Sequence, residues 1–522
     1  MAPEYLPDAS GRRASLKDWL AVAAGTLGAL MAMMDISIVN ASLPVIQGEI
    51  GATPSEGTWV STAYLVAEII AIPLTAWLER LLGMRRLLIG ASLLFTVFSM
   101  LCGFSGTLPM MIFGRLGQGL AGGVLIPTGL TIIANRLPPS QQSQGLALMA
   151  VAALVGPALG PVLGGWLTDN ISWHYAFFMN APICVVLVAL LVIGVEATRG
   201  DWGEMRAADW PGIAGITLGL GGLTTVLEEG SRELWFESAY IWRLMAMTAL
   251  GFALIAWSQY RPQRPIIRLS LLANNGSLSS GVSLMMVVGI LMYGTLYITP
   301  QFLAAVAGYS AYQAGEICFI SAACAIPTAI AFPFLVNRID TRVIIGGAMA
   351  ICGVSSLVVS HLTVQDDGSA FILAQALLGL GLALCGLPLQ QVVMSSVGPE
   401  DVPEANGMIS VARNLGGSVG LAAIASFQDQ RLDFHHWRLS GEMAANSPEV
   451  QTHLAEMSAL MGDGADGMAN ALRLIDGQVS LQALVMTFND LYLAMAIIGF
   501  AVVPLVLFLK PIKPGTAMAV GH

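Results

Sequence analysis

One acid stands inside the first long apolar run of the chain, Leu16 to Ile46, in the stretch Met33-Met34-Asp35-Ile36-Ser37-Ile38-Val39-Asn40. That run exceeds the ~20 helical residues needed to cross a hydrocarbon core. A carboxylate at such depth costs about 2.5–3.5 kcal/mol on insertion scales, so it faces a protein interior or a wet cavity. The chemistry open to it is reversible protonation, which makes Asp35 the candidate proton-carrying group of a transporter. The alternative is an acid held for packing by a neighbouring Arg. Arg115 is a neighbour of the right kind. Helical rise puts it about 10 Å below one end of its run and Asp35 roughly 15 Å below the same face, so the two can share a depth. Capping backbone carbonyls of an adjacent helix is the competing role for Arg115.

Glu68 lies ten residues into the second apolar run, near its middle. It is the second candidate for proton or cation recognition, against the reading of a satisfied interior acid. Arg413 suits anion binding or helix pairing, and pairing with nearby polar groups is favoured. Tyr293, Tyr297, Gln301 and Phe302 follow one helical face around Pro300 and could line a cavity for amphipathic aromatic ligands. Aromatic residues at span ends also serve as interfacial anchors. Asn40, Gln118 and Arg413 complete the expected cavity set. A dense glycine–proline pattern, Gly156, Pro157, Gly160, Pro161, Gly164 and Gly165, brings small residues four apart, which lets helices approach closely. Glu79, Arg80, Gly83 and Arg85 form a charged turn after the second run.

The elements that must position these residues are apolar helices. Of 522 residues, 56% are hydrophobic and 11% charged, with mean hydropathy +0.73. Soluble domains carry about 25% charge, so this is an all-α polytopic membrane protein. Fourteen runs are expected near 17–46, 58–78, 86–104, 108–135, 144–167, 174–196, 211–228, 239–259, 277–305, 312–336, 342–361, 370–396, 404–426 and 488–509. With the N-terminus inside, sixteen of the 23 Lys and Arg residues fall in inside segments, among them Arg12, Arg80, Arg199, Arg268 and Lys510. Five fall outside, so both termini are expected in the cytoplasm.

A repeat near 262 residues relates Gly117-Gln118-Gly119-Leu120 … Pro127 to Gly379-Leu380-Gly381-Leu382 … Pro388. Spans 1–6 and 9–14 are therefore two related halves, and spans 7 and 8 an inserted pair. Parallel halves of this kind suggest alternating access about a central site. The expected division is 1–15, a cytoplasmic segment; 16–200, the first half; 201–270, the inserted pair; and 271–522, the second half with an outer extension over 427–487. Within that extension Pro448–Met461 and Ala465–Val485 read as helices, broken at Gly462-Asp463-Gly464.

Other classes are excluded or unsupported. No basic patch is interleaved with aromatics, so nucleic acid is no partner. GxxxxGK[ST] is absent, which leaves ATP drive unsupported. His435-His436 lacks further ligands at metal spacing, and the six cysteines sit in or beside apolar runs. No metal and no cofactor are expected, and no nucleophile–base constellation suggests an enzyme.

Together these residues resemble those of the major facilitator superfamily, in particular its fourteen-span drug:proton antiporters of the EmrB type. Asp35-Ile36-Ser37-Ile38-Val39-Asn40-Ala41-Ser42-Leu43-Pro44 resembles the family's span-1 motif, whose acid is implicated in proton coupling. Gly114-Arg115-Leu116-Gly117-Gln118-Gly119 is similar to the span-4 motif with its buried Arg, and Gly156 to Gly165 to the span-5 antiporter motif. Trp173 to Pro182 resembles the start of span 6. The resemblance implies a major facilitator fold and a proton-coupled multidrug exporter of lipophilic or amphipathic molecules in the bacterial inner membrane, contributing to antibiotic resistance. It also implies a periplasmic EmrA-type adaptor and a TolC-like outer-membrane channel. The alternative is a major facilitator metabolite or weak-acid symporter or importer acting without partners. The resemblance also implies a cytoplasmic gate at Glu79, Arg80, Gly83 and Arg85, with one departure: Ala76 and Arg80 occupy the loop 2–3 places where the superfamily has Gly and Asp, so the gate relay is lost or runs through Glu79.

Overall fold

Each apolar run becomes a helix. The computed structural model describes residues 13–198, 200–260, 265–336, 338–442, 448–461 and 465–509, and no strand occurs among them. The first half contains α1 (Leu16–Ile50), α2 (Trp59–Leu82), α3 (Met84–Gly103), α4 (Leu108–Arg136), α5 (Pro139–Asn170) and α6 (Asn180–Gly194), the last preceded by the short turn His174–Phe178. The inserted pair is α7 (Trp210–Glu229) and α8 (Ala239–Ser258). The second half contains α9 (Gly276–Ala305), α10 (Ala311–Val336), α11 (Thr341–Val358), α12 (Ile372–Ser396), α13 (Val402–Glu442) and α14 (Ala465–Ala501). Thirteen of the helical segments are long and apolar enough to cross a membrane. The segment outside that set, α2, carries Glu68 at mid-length. Its 24 residues still reach ~36 Å, which exceeds a hydrocarbon core of about 30 Å.

Local chemistry sets the ends of these helices. Ser15 and Asp18 form a capping box at the start of α1, each side chain satisfying the other's backbone N–H. Gly51 closes α1 at φ 69°, a left-handed conformation that glycine adopts without strain. Pro127 in α4 and Pro388 in α12 sit at matching places in the two halves.

The packing repeats as the sequence does. In the first half α1 lies on α5, and α4 is flanked by α2 and α3. In the second half α9 lies on α13, and α12 is flanked by α10 and α11. One apolar core gathers around Tyr64, Phe95 and Leu125 and takes in Phe332 and Leu387 from α10 and α12, and another gathers around Phe302, Phe371, Phe488 and Tyr492. The halves touch where α5 meets α10 and α2 meets α13. The inserted α7 leans on both α2 and α13. Asp209 caps α7 through the Gly212 N–H at 2.9 Å and accepts from Ser258 at the end of α8, which ties the pair together.

The extension after span 13 differs from the expected polar loop. α13 runs on unbroken to Glu442, and the expected helix Ala465–Val485 does not stop at Val485 but continues into the final span. Pro448–Met461 is helical, with the expected bounds. No Pro falls between Val402 and Glu442 after Pro403, so nothing in the polar stretch interrupts the backbone ladder. Gly462-Asp463-Gly464 and most of the 1–15 segment lie outside the described residues, as do Arg12, Arg199, Arg261, Arg264, Lys510 and Lys513. The end of the molecule where α1 begins is termed the near end, and the end where α1 finishes the far end.

Candidate functional site

Asp35 sits at mid-length on the side of α1 that faces its own half. Its carboxylate is buried, 1% exposed, and collects three donors from two further helices. Arg115 Nη1 of α4 pairs with Oδ2 at 2.6 Å. Gln118 Nε2, one turn along α4, donates to Oδ1 at 3.1 Å. Asn180 Nδ2, at the start of α6, donates to the same oxygen at 2.8 Å. The two expected partners, Asp35 and Arg115, therefore do meet. Arg115 also performs its alternative role, donating from Nε to the Val60 carbonyl at 2.9 Å, and its guanidinium lies 4.4 Å over the Tyr64 ring. Asn180 in turn donates to Ser99 Oγ at 2.9 Å, and Ser99 donates to the Phe177 carbonyl at 2.8 Å. Every group around the acid is a donor, so the arrangement matches a carboxylate and loses its ion pair when the acid binds a proton.

The opposite side of α1 faces a cavity between the halves. Met33, Ile36, Ser37 and Asn40 line about 430 Å³ of space with Pro157 of α5, Tyr293, Tyr297 and Pro300 of α9, and Cys318 of α10. A narrower space of about 100 Å³ shares Met33 and Met292 and extends past Leu387 and Gln390 to Arg413. One helix thus carries the acid on one face and cavity wall on the other. The glycine pattern of α5 permits this closeness. A Cβ at Gly164 would stand 2.7 Å from the Ile38 carbonyl oxygen, and one at Gly156 would stand 3.2 Å from Met33 Cβ. Gly160 faces Ser37 in the same row. Gly165 faces open space, so it is not part of this contact. The Pro161 side chain lies outside the described residues.

The expected cavity set is only partly brought together. Asn40, Tyr293, Tyr297 and Arg413 line the central spaces. Gln118 does not; it is fully buried in the Asp35 cluster, because its side of α4 faces α1 and α3. Phe302 does not either. It is buried in the second-half core against Phe371 and Phe488, since the α9 face it occupies turns away from the cavity. Gln301 is half-buried outside both cavity walls. The sequence favours Arg413 pairing with polar groups, yet its Nε and Nη2 are buried with no partner among the described residues. Glu68 is buried away from Asp35, in a small side cavity.

Ion pairs gather at the near end. Arg80 pairs with Glu204 at 3.3 Å and Glu404 at 3.6 Å. Arg268 pairs with Glu404 and Asp401, both at 2.5 Å. Beside them Gln390 donates to Asn406 at 2.8 Å, and Asn406 to Thr131 of the first half at 3.4 Å. The expected substitute, Glu79, is not the relay: its Oε2 is buried with no partner among the described residues, and Arg80 carries the ion pairs. Gly83, at φ 81°, abuts Thr198, and Arg85 makes no ion pair among the described residues.

Sequence reasoning missed Asn180, Ser99, Arg268, Asp401, Glu404 and Glu204. Asn180 is visible within the span-6 stretch but has no charge to mark it in an apolar run. The loop charges inform orientation along the chain, but their partners lie more than 100 residues away.

With this geometry established, the comparisons with known proteins are direct. Residues 25–421 match the model of the Major Facilitator Superfamily. The chain is 31% identical to the colistin resistance protein EmrB of Acinetobacter baumannii over 94% of this chain and 96% of that one. It is 31% identical to the multidrug export protein EmrB of Escherichia coli over 93% and 94%. To the fatty acid resistance protein FarB of Neisseria gonorrhoeae it is 28% identical over 94% and 96%. Among solved structures, the proton:xylose symporter XylE aligns with a TM-score of 0.57 at 14% identity, over 96% of this chain and 98% of that one. The human organic anion transporter MFSD10 aligns with the same score at 17% identity, over 92% and 99%. That family match spans well over half of the residues, and the chain belongs to the major facilitator superfamily.

Proposed function

We propose that this transporter exports lipophilic or amphipathic small molecules across a bacterial inner membrane in exchange for protons. Relatives named for multidrug export and for fatty acid resistance, each matched over more than nine-tenths of this chain, support export by a multi-pass membrane protein. The single observation that carries the coupling is the placement of Asp35 and the cavity wall on opposite faces of α1. A proton on Asp35 removes the charge that Arg115 pairs with, and α1 is then free to shift against α4. Any such shift moves Met33, Ile36 and Ser37, and so reshapes the cavity. Proton binding thereby shifts the populations of two arrangements of the halves. Glu68 is a further proton-coupling candidate in this reading. Both termini are cytoplasmic in this reading, supported by the distribution of Lys and Arg, and the near end is then the cytoplasmic one. An EmrA-type adaptor and a TolC-like channel are the partners in this reading, supported by likeness to EmrB proteins along nearly the whole chain.

The test is transport by the purified protein in liposomes with an imposed pH gradient, using a fluorescent lipophilic cation and a fluorescent lipophilic weak acid in parallel. Wild type is expected to move at least one of them against its gradient, and Asp35→Asn to lose the gradient-driven component while remaining folded. Full proton-driven transport by Asp35→Asn would overturn the assignment. Substrate moving in the same direction as the proton would favour the symport reading.

A further inference from the structure

A small side cavity lies where the two halves and the inserted pair meet. Glu68 of α2, Glu228 of α7, Tyr293 of α9, and Asn414 and Ser418 of α13 line about 30 Å³, room for a group the size of one or two waters. Tyr293 and Leu421 stand in the walls of both this space and the large central cavity, so it is a branch of the latter.

Its charged lining is wholly acidic. Glu68 is 2% exposed and makes no hydrogen bond or ion pair among the described residues. Asn414 Oδ1 is buried without a partner among them. Glu228 accepts one hydrogen bond, from Ser418 Oγ at 3.0 Å. The site therefore presents two carboxylates and an amide oxygen, with only neutral donors beside them, the hydroxyls of Thr224, Tyr293 and Ser418 and the Asn414 amide, and no cation within ion-pair distance among the described residues. The charged groups around it do not fill this need. Arg115 is engaged with Asp35, Arg413 acts on Glu68 without coming within ion-pair distance, and Glu229, beside Glu228, pairs with Arg232. Buried acceptors without donors are costly, and a cation bearing N–H groups offsets that cost.

We propose that Glu68 and Glu228 bind the protonated amine of an amphipathic substrate, whose apolar body rests in the central cavity between Tyr293 and Tyr297. The proposal rests on the central cavity being the substrate site, and it names the charge of the substrate and the residues that read it. An ammonium group fits the volume, and its three donors match Glu68, Glu228 and Asn414 Oδ1. The inserted pair thereby acquires a role in recognition, since α7 supplies one of the two carboxylates.

Equilibrium binding of 4-phenylbutylamine and its neutral counterpart 4-phenylbutan-1-ol to the full-length protein in lipid nanodiscs, followed by calorimetry, tests this without requiring transport. Wild type is expected to prefer the amine by about tenfold or more, a factor of ten being about 1.4 kcal/mol. Glu228→Gln and Glu68→Gln are each expected to remove most of that preference and leave the alcohol within about twofold, which also reports an intact cavity. Equal affinity for amine and alcohol in wild type would overturn the proposal. So would equal losses for both ligands in the variants, the result if Glu68 serves only to balance Arg413 or to pack. Displacement of the amine by sodium chloride, but not by choline chloride of equal ionic strength, would assign the site to an inorganic cation and overturn it as well. Absent gradient-driven transport in wild type would count against the export reading alone, because amine selectivity is measured separately.

Discussion

Asp35 is held by donors from α4 and α6, and the energetic consequence falls on Arg115. Removing one partner of a buried ion pair leaves an uncompensated charge and costs about 3–5 kcal/mol, whereas neutralising both partners costs far less. Arg115→Met is therefore expected to lower the melting temperature of the purified protein sharply, and Asp35→Asn added to it to restore much of the loss. Equal melting of the single and double variants would show that the pair is not energetically coupled. Asn180 has a different expected signature. Asn180→Leu removes the 2.8 Å donor to Oδ1 and the link to Ser99, but leaves the ion pair in place. It is expected to shift the pH dependence of transport more than the melting temperature, by weakening one of the three contacts that favour the ionised acid.

At the scale of elements, α1 and α5 form the unit that connects Asp35 and the cavity. Gly156, Gly160 and Gly164 let the α5 backbone lie directly on α1 between Met33 and Ile38. A Cβ at Gly160 would stand 2.8 Å from the Ser37 carbonyl carbon, too close for the helices to remain where they are. Gly160→Val is expected to cost about 1–3 kcal/mol through overpacking, and to abolish transport by separating the helices. Gly165→Ala, which meets nothing within 4 Å, is the matched control and is expected to be silent in both thermal melting and transport. Loss of transport in the control would show that the pattern acts through something other than this contact.

At the scale of the molecule, Arg80, Arg268, Asp401, Glu204 and Glu404 form a network of ion pairs at the near end, while the central cavity lies nearer the far end, beside Asn40, Pro300 and Ala304. Glu404 binds both arginines and its side chain is 4% exposed, so it is the member whose loss releases two cations at once. Exposed ion pairs contribute only about 0.2–1 kcal/mol each, but removing the shared partner of a largely buried pair costs more, because the remaining charges are left uncompensated. Glu404→Gln is expected to raise the labelling rate of a cysteine placed at Gln390, probed from the near end, by about tenfold, through a population shift of about 1.4 kcal/mol. An unchanged labelling rate would show that the Thr131–Asn406–Gln390 hydrogen bonds close this end without the charges.

The all-α polytopic fold was legible in the chain itself, because it rests on a local quantity, the length of apolar runs. Asp35 and Arg115 were legible for the same reason, since a charge in an apolar run is conspicuous and helical rise gives its depth. Which way a side chain turns was not. Gln118 and Phe302 read as cavity residues, but rotation about the helix axis sends one to the buried acid and the other to an aromatic core. The partners of Arg80, the gathering of Glu68 and Glu228 from different units, and the row of α5 glycines against α1 depend on where distant helices come to rest. Sequence by itself determined which residues enter the apolar phase and at what depth, because hydrophobicity and helical rise act along one chain. Only the tertiary structure decided which of them face one another, because that is set by the packing of helices far apart in the sequence.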